Sequence, residues 1–170
     1  MKFTTQLYLK TFFIYAFSFA LVMVFWKYLA EVKINLWEQL IQAVLFGTLM
    51  SWATVTAQKR ALRRLGKKEL TEDDLKVSQQ ESTSTEKTIP EIFDLLKKNK
   101  ITEKWKLEMK ESKIIAKTRV SWSSWGERII ISDLQDYTKI ESKPLLKTTM
   151  FDKGKNRENV ELIKELIDNQ

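Results

Sequence analysis

Two long segments without a charged residue constrain this chain more than any other feature of its sequence. One runs from Thr11 to Trp26 and the other from Gln39 to Gln58, although 30% of the 170 residues are charged. An α-helix rises about 1.5 Å per residue, so a helix of about 20 residues crosses the hydrocarbon core of a bilayer. We therefore predict a hairpin of two membrane-spanning helices within residues 1–58, with spans at about 7–30 and 36–58.

The ends of both segments carry residues that favour the membrane interface. Lys10 and Lys27 flank the shorter first segment, and their long side chains can carry the ammonium groups to the headgroups. Trp26 and Trp37 lie near the connection, where an aromatic belt is expected. A cleavable signal peptide is the alternative for the first segment. No small-x-small cleavage site follows it, and a second apolar segment comes soon after.

The basic residues around the two segments predict their orientation. Two precede the first span and six follow the second: Lys2, Lys10, Lys59, Arg60, Arg63, Arg64, Lys67 and Lys68. The connection carries two lysines and two glutamates. By the positive-inside rule, both termini should lie in the cytoplasm. We expect a multi-pass protein of a bacterial inner (cytoplasmic) membrane.

Small residues recur at helical spacing in both predicted spans. Ala16 and Ala20 lie four residues apart, as do Ala43, Gly47 and Ser51. Such spacing lets helix backbones approach closely, which favours association in lipid. We expect these residues to form the seam of the hairpin, with a homodimer interface as the alternative. Neither span has an acidic or basic residue near its centre, which argues against a transport pathway.

The segment 59–88 is predicted to be a basic collar followed by a flexible linker. The collar should attract anionic headgroups, at about 1 kcal/mol per basic residue near the surface. Nucleic-acid binding is the alternative for a basic run, but topology already explains this one, and we expect no nucleic-acid partner. Residues 78–88 include no apolar side chain, so we expect them to be mobile.

Residues 89–170 are predicted to form a small cytoplasmic α+β domain. A helix over 90–98 precedes alternating apolar and polar residues, which indicate strands at about 105–109, 114–122, 128–132, 137–142 and 145–151. A last helix should begin at the N-cap Asn156, with an apolar stripe that includes Ile163 and Ile167. The predicted fold is an antiparallel β meander of about five strands closed by a C-terminal helix.

Two segments carry a resemblance to known proteins: residues 121–127, Ser-Trp-Ser-Ser-Trp-Gly-Glu, and residues 141–160, which include Lys-Pro-Leu-Leu-Lys and Asp-Lys-Gly-Lys-Asn-Arg. With the layout of the chain, they resemble small bacterial membrane proteins in which a transmembrane hairpin precedes a pleckstrin-homology-like domain. The resemblance implies a domain of strands capped by a helix. It implies no activity.

The most suggestive local motif is Lys153-Gly154-Lys155-Asn156-Arg157 at the start of the last predicted helix. Helix N-termini favour anions, so Lys153, Gly154, Lys155 and Arg157 could contact a phosphate or a lipid headgroup. The motif departs from a phosphate-binding P-loop, since Thr149 stands where its first glycine is required. The alternative is a glycine turn with solvated charges.

Other residues are expected to be structural. Trp122 and Trp125 should roof the end of the β core, with an interfacial or partner contact as the alternative. Asp133, Asp136 and Glu141 fit neither a calcium loop nor a glycosidase pair and should be solvated.

The chain has no Cys and no His, which excludes thiol nucleophiles, imidazole bases and the usual zinc sites. We expect no catalytic residue, cofactor or metal. The expected function is a membrane-anchored, non-enzymatic module or accessory subunit that binds a protein or lipid partner. An enzyme acting on lipid or cell-envelope precursors is the alternative.

Overall fold

A computed structural model describes residues 3–67, 69–121, 124–149 and 151–169. The chain forms two compact units, Met1–Arg60 and Ala61–Gln170. They are described separately below.

The first unit consists of two long helices, α1 (Phe3–Leu29) and α2 (Leu36–Arg64), and the last turn of α2 belongs to the second unit. The predicted seam of small residues is present. A Cβ atom added at Gly47 would lie 2.8 Å from the Cβ of Ala16, so the two backbones approach as closely as their side chains allow. Near it, the rings of Phe19 and Phe46 stack with their centroids 4.4 Å apart. The helices thus pack against each other within one chain.

Both helices leave most of their apolar side chains uncovered. Many large side chains on them are more than half exposed, including Phe13, Phe17, Val22, Phe25, Leu45, Leu49 and Trp52. Of an apolar stretch of 18 residues in α1, only 6% is buried, and of the corresponding stretch in α2, 22% is buried. Each helix is long and apolar enough to cross a membrane. The described chain therefore leaves most of the apolar surface of both helices uncovered.

The second unit is a five-stranded antiparallel sheet with helices on one side. Its elements in chain order are α3 (Glu72–Leu75), β1 (Gln79–Thr83), α4 (Ile89–Lys98), β2 (Lys106–Lys110), β3 (Lys113–Lys117), β4 (Glu127–Asp133), β5 (Thr138–Pro144) and α5 (Lys155–Asp168). The strand order is β1-β5-β4-β3-β2. Strands β2 to β5 form a meander, and β1 pairs with β5 at the edge.

The core lies between the sheet and the helices α4 and α5. Every second residue of the central strands contributes to it, including Ile114, Ile129 and Ile140, each fully buried. Ile163 and Ile167 of α5 are buried against them, which confirms the predicted closing helix. Burying one such side chain contributes about 1.5–3 kcal/mol relative to exposure. The apolar alternation therefore determines which face of the sheet the helices cover.

The predicted helix over 90–98 and the strands at 105–109, 128–132 and 137–142 are confirmed to within two residues at each end. The strand predicted at 114–122 ends at Lys117, and the fifth strand was misplaced. In the described part of the segment 145–151, no strand forms. The chain turns after Pro144, where the amide of Leu145 donates to the carbonyl of Gly126 and that of Thr149 donates to Leu146. The fifth strand of the sheet is β1, in a segment predicted to be a mobile linker. That prediction is wrong for residues 79–83.

Strand β1 has no apolar side chain, and hydrogen bonds hold it instead. The amide nitrogen of the Gln79 side chain donates to the carbonyls of Asp73 and Lys76, at 2.8 and 2.6 Å. The Thr83 hydroxyl donates to Asp168 at 2.8 Å. Between them, Glu81 pairs with basic residues of α5, described below. Five backbone positions are in register with β5. Polar bonds thus replace the apolar contacts that usually attach a strand.

Candidate functional site

The N-terminus of α5 holds the predicted anion-contacting residues, and a carboxylate of the chain already lies there. Gly154 is the N-cap, with φ of 76°, a conformation that glycine adopts without strain. The Asp152 carboxylate accepts from the amides of Gly154 and Asn156, at 3.1 and 2.7 Å. The predicted N-cap Asn156 is wrong by two positions. It is fully buried in the first turn and accepts from the Ser142 hydroxyl at 2.7 Å.

The basic side chains of the same motif differ in their surroundings. Lys153 is exposed, and the Lys155 ammonium pairs with Glu158 at 2.6 Å. Arg157 is 8% exposed and its guanidinium donates to Glu161 at 2.7 Å and to Glu81. Anion binding at this motif stays a prediction. Arg157 contributes to the attachment of β1, so an external anion would meet Lys153 and Lys155 first.

The ion pairs between β1 and α5 shift the pKa values of their members. Burial raises the pKa of Glu81, but the hydrogen bond from Lys164 at 3.1 Å and the charge of Arg157 outweigh it, so the pKa is lowered. Burial lowers the pKa of Arg157, and the bonds to Glu161 and Glu81 raise it more. Both groups are therefore charged when folded, and this cluster stabilises the sheet edge.

The basic collar divides between the two units. In the first unit, the Lys59 ammonium lies 5.5 Å from the centre of the Tyr8 ring. Arg60, the last residue of the first unit, is exposed, and so are Arg63 and Arg64 at the start of the second unit. In the second unit, the Lys67 ammonium lies 3.7 Å from Asp74. Lys68 lies outside the described residues.

The apolar residues within the collar anchor its second half. Leu62 is fully buried, and a Cβ atom added at Gly154 would lie 3.5 Å from its side chain. Burial raises the pKa of Asp74, but hydrogen bonds from Thr71 and then the charge of Lys67 leave it lowered. Residues 61–67 are therefore part of the folded second unit.

A groove of about 320 Å³ lies beside the loop between β3 and β4. Its wall includes Glu127, which is 3% exposed and accepts hydrogen bonds from the hydroxyls of Thr118 and Ser124. This carboxylate fixes the loop. Among the described residues, no group of three or more His, Cys, Asp or Glu side chains could hold a metal ion.

The two tryptophans predicted to roof the core are in or next to this loop. Trp125 is 65% exposed, so its predicted burial is wrong, because it lies in the loop beside the turn at Gly126, where φ is 87°, and not on a strand face that the helices cover. Trp122 lies outside the described residues. Trp125 is therefore available for contact with a partner.

The most distinctive surface of the second unit is the open face, the side of the sheet opposite α4 and α5. Residues directly opposite each other in antiparallel strands point to the same side. The register places Lys106 opposite Lys117, Lys117 opposite Arg128, and Arg128 opposite Lys143. These four form one row across the sheet, which we call the basic row.

The remainder of the open face is also basic on balance. A second row places Lys113 opposite Lys110 and Ser132, and Ser132 opposite Lys139. Between the two rows lie Glu108, Ile115, Ile130, Glu141 and Gln80. Seven basic strand residues thus face two acidic ones, a net charge of +5.

The basic row is electrostatically unfavourable in the protein alone. Like charges directly opposite each other destabilise a sheet, whereas opposite charges contribute about 0.2–1 kcal/mol per pair. Lys143 pairs with Glu141 at 3.1 Å. Within the described chain, the other three side chains of the row form no ion pair. An anionic partner would relieve this repulsion.

Sequence reasoning missed the open face as a site. Each lysine is visible in the alternation of its strand, but only the register shows that four basic residues align. No protein-family model, curated protein or solved structure matches this chain. The resemblance drawn from residues 121–127 and 141–160 therefore stays an expectation.

Proposed function

We propose that the chain is a membrane-anchored, non-enzymatic module, or an accessory subunit, whose small domain binds a lipid or protein partner. Its two long helices act as the anchor. Large apolar side chains are exposed along both helices, whereas the largest apolar patch of a soluble monomer is usually about 300–600 Å². A bilayer covers such surface, and helices satisfy their own backbone hydrogen bonds within it.

We further propose that the anchor places both termini in the cytoplasm, in a bacterial inner membrane. The flanking basic residues support this orientation, since cytoplasmic flanks carry an excess of Lys and Arg. The second unit would then lie on the cytoplasmic side. There it meets a leaflet whose anionic lipids attract basic segments.

The observation that carries the binding role is the charge of the open face. A sheet side with seven basic residues, opposite the side that α4 and α5 cover, suits a partner with negative charge at its surface. The contacts described above give Glu127 and the Glu81 cluster structural roles. The open face is the surface whose arrangement they do not explain.

Single introduced cysteines test the topology without background labelling, because the chain has no cysteine of its own. We expect Val32→Cys, in the exposed connection of the hairpin, to react with a membrane-impermeant maleimide on intact cells. Glu165→Cys, exposed on α5, should react only after permeabilisation. Labelling of Glu165→Cys on intact cells would contradict the orientation, and extraction of the chain by alkaline carbonate would contradict the anchor.

Photo-crosslinking tests the binding role. A crosslinking amino acid at Ser132, on the open face, should capture a lipid or protein in cells. The same amino acid at Glu165, on the helical side, is the matched control. Changing Lys106, Lys117, Arg128 and Lys143 together to Gln should abolish the capture at Ser132. Equal capture with and without the basic row would contradict the role of the open face.

A further inference from the structure

We propose that the open face docks on the anionic lipid leaflet of the membrane that anchors the chain. This inference rests on the proposed function and names the partner. The basic row would contact the headgroups, and a neighbouring apolar patch around Trp125 would enter the interface.

The charge on the open face fits a lipid surface better than a discrete ligand. Six of its seven basic residues are lysines, compact and strongly hydrated charges, whereas sites that recognise a single carboxylate or phosphate favour the planar fork of arginine. The charges lie in two rows on a sheet, with Ile115 and Ile130 between them. Such an arrangement spreads the positive charge over a surface, as the negative charge of a lipid leaflet is spread over its headgroups.

An exposed apolar patch adjoins the basic row, formed by Val120, Trp125, Leu145 and Leu146, each 41–65% exposed. The backbones of Ser121 and Ser124 bond to each other across the β3–β4 loop, and the amide of Leu145 donates to Gly126 at 3.0 Å. The patch therefore lies on two adjoining segments at one end of the sheet.

The same end of the sheet carries the basic row. The pair Lys117–Arg128 is the last pair of β3 and β4 before the loop. Tryptophan favours the membrane interface, and basic residues beside it favour anionic headgroups. Neither a soluble acidic protein nor a nucleic acid requires this combination.

Chain connectivity keeps the domain close to the leaflet. The second unit begins at Ala61, directly after Lys59 and Arg60, and contains the remaining basic residues of the collar. Because the second unit follows the first without an intervening segment, it is held near the leaflet, so even weak surface attraction favours docking. Contacts between exposed charges are screened beyond about 10 Å at 0.1 M salt, which makes docking salt-dependent.

Site-directed labels on the full chain test the inference. The chain is reconstituted into vesicles of phosphatidylcholine alone, or of phosphatidylcholine with phosphatidylglycerol. A spin label at Ser132→Cys reports the open face, and one at Glu165→Cys is the matched control on α5. We expect the Ser132 label to lose access to a water-soluble relaxation agent in anionic vesicles, and to regain it in high salt. The Glu165 label should stay accessible throughout.

Variants that remove basic residues measure how much each charge contributes to docking. A basic residue near an anionic surface contributes about 1 kcal/mol, so each one removed should lower the ratio of docked to undocked label about fivefold. Lys106→Gln with Arg128→Gln should therefore lower it about 25-fold. Trp125→Ser should lower it too, and to the same extent at high and low salt. The salt response of the unmodified chain tests the inference even where a variant folds poorly.

Several results would overturn the lipid assignment. Equal accessibility of the Ser132 label in neutral and anionic vesicles would remove the charge argument, and protection of the Glu165 label instead would assign docking to the other side. If the open face binds soluble polyglutamate or RNA but not vesicles, the partner is not lipid, while the proposed binding role stands. An extractable chain would contradict the proposed function itself.

Discussion

Replacing Arg157 with methionine should loosen β1 from the sheet without unfolding the rest of the second unit. Methionine keeps the apolar part of the side chain, so the substitution measures the loss of the guanidinium group alone. The guanidinium bonds Glu161 within α5 and Glu81 on β1, and only the second bond attaches the strand. A hydrogen bond between charged groups contributes about 1.5–3 kcal/mol. Lys164 still reaches Glu81, so we expect the free energy of opening β1 to fall by about 2 kcal/mol.

Hydrogen exchange on the full chain in detergent micelles measures this opening strand by strand. A loss of about 2 kcal/mol corresponds to roughly 30-fold faster exchange, since about 1.4 kcal/mol is tenfold. We expect this change in residues 79–83 and little change in 113–117 or 127–133. Lys155→Met is the matched control, because it removes the exposed pair with Glu158 on the same helix. Such pairs contribute about 0–1 kcal/mol.

Two outcomes would refute this account of β1. Unchanged exchange in 79–83 would mean that the backbone ladder alone holds the strand. Equal acceleration in all strands would mean that β1 does not open separately.

Three further predictions follow from buried or close contacts. Ile163→Ala should destabilise the second unit by about 2–5 kcal/mol in chemical denaturation, because removing a fully buried side chain leaves a cavity. The control Glu165→Ala, at an exposed position of α5, should cost little. Equal denaturation midpoints of the two variants would contradict the packing of α5. Because the pKa of Glu81 is lowered on folding from its usual 4.5, its stabilising effect is complete above that value and is lost as pH falls through the lowered one. Exchange of β1, corrected for intrinsic rates, should therefore accelerate in acid, and Glu81→Gln should remove the dependence. Gly47→Leu should separate the hairpin helices, because even a Cβ atom at this position would lie 2.8 Å from the Cβ of Ala16. The measurement is the yield of a disulfide between cysteines introduced at positions 19 and 46. An unchanged yield would contradict this prediction.

The elements held by apolar burial were predictable from the sequence. Core residues recur at every second position of β3 and β4, as Ile114 and Ala116 and as Ile129 and Ile131. Ile163 and Ile167 lie four positions apart on α5, so these periods mark the buried faces. The hairpin followed from its uncharged segments. In each case a single physical effect acts on neighbouring residues, and the sequence displays it directly.

The parts that depend on long-range polar contacts were not predictable. Nothing in Gln79-Gln-Glu-Ser-Thr83 indicates a strand until Glu81 is known to lie beside Arg157, 76 residues later. Lys164 of α5 donates to the same Glu81 at 3.1 Å, a contact across 83 residues that the sequence does not reveal either. The basic row was invisible for a similar reason, since its members come from four strands and align only through the register.

The composition of the two edge strands matters for the proposed attachment of the domain to a membrane. An exposed edge offers unpaired backbone groups to other chains, and tethering to a membrane raises the frequency of such encounters. One edge of this sheet is β1, with no apolar residue, and the other is β2, where Lys106, Glu108 and Lys110 alternate with Leu107 and Met109. Charged and polar edges resist pairing between strands of neighbouring molecules. The strand that sequence analysis overlooked thus pairs with the backbone of β5 and gives the sheet a polar edge, which disfavours association between neighbouring copies.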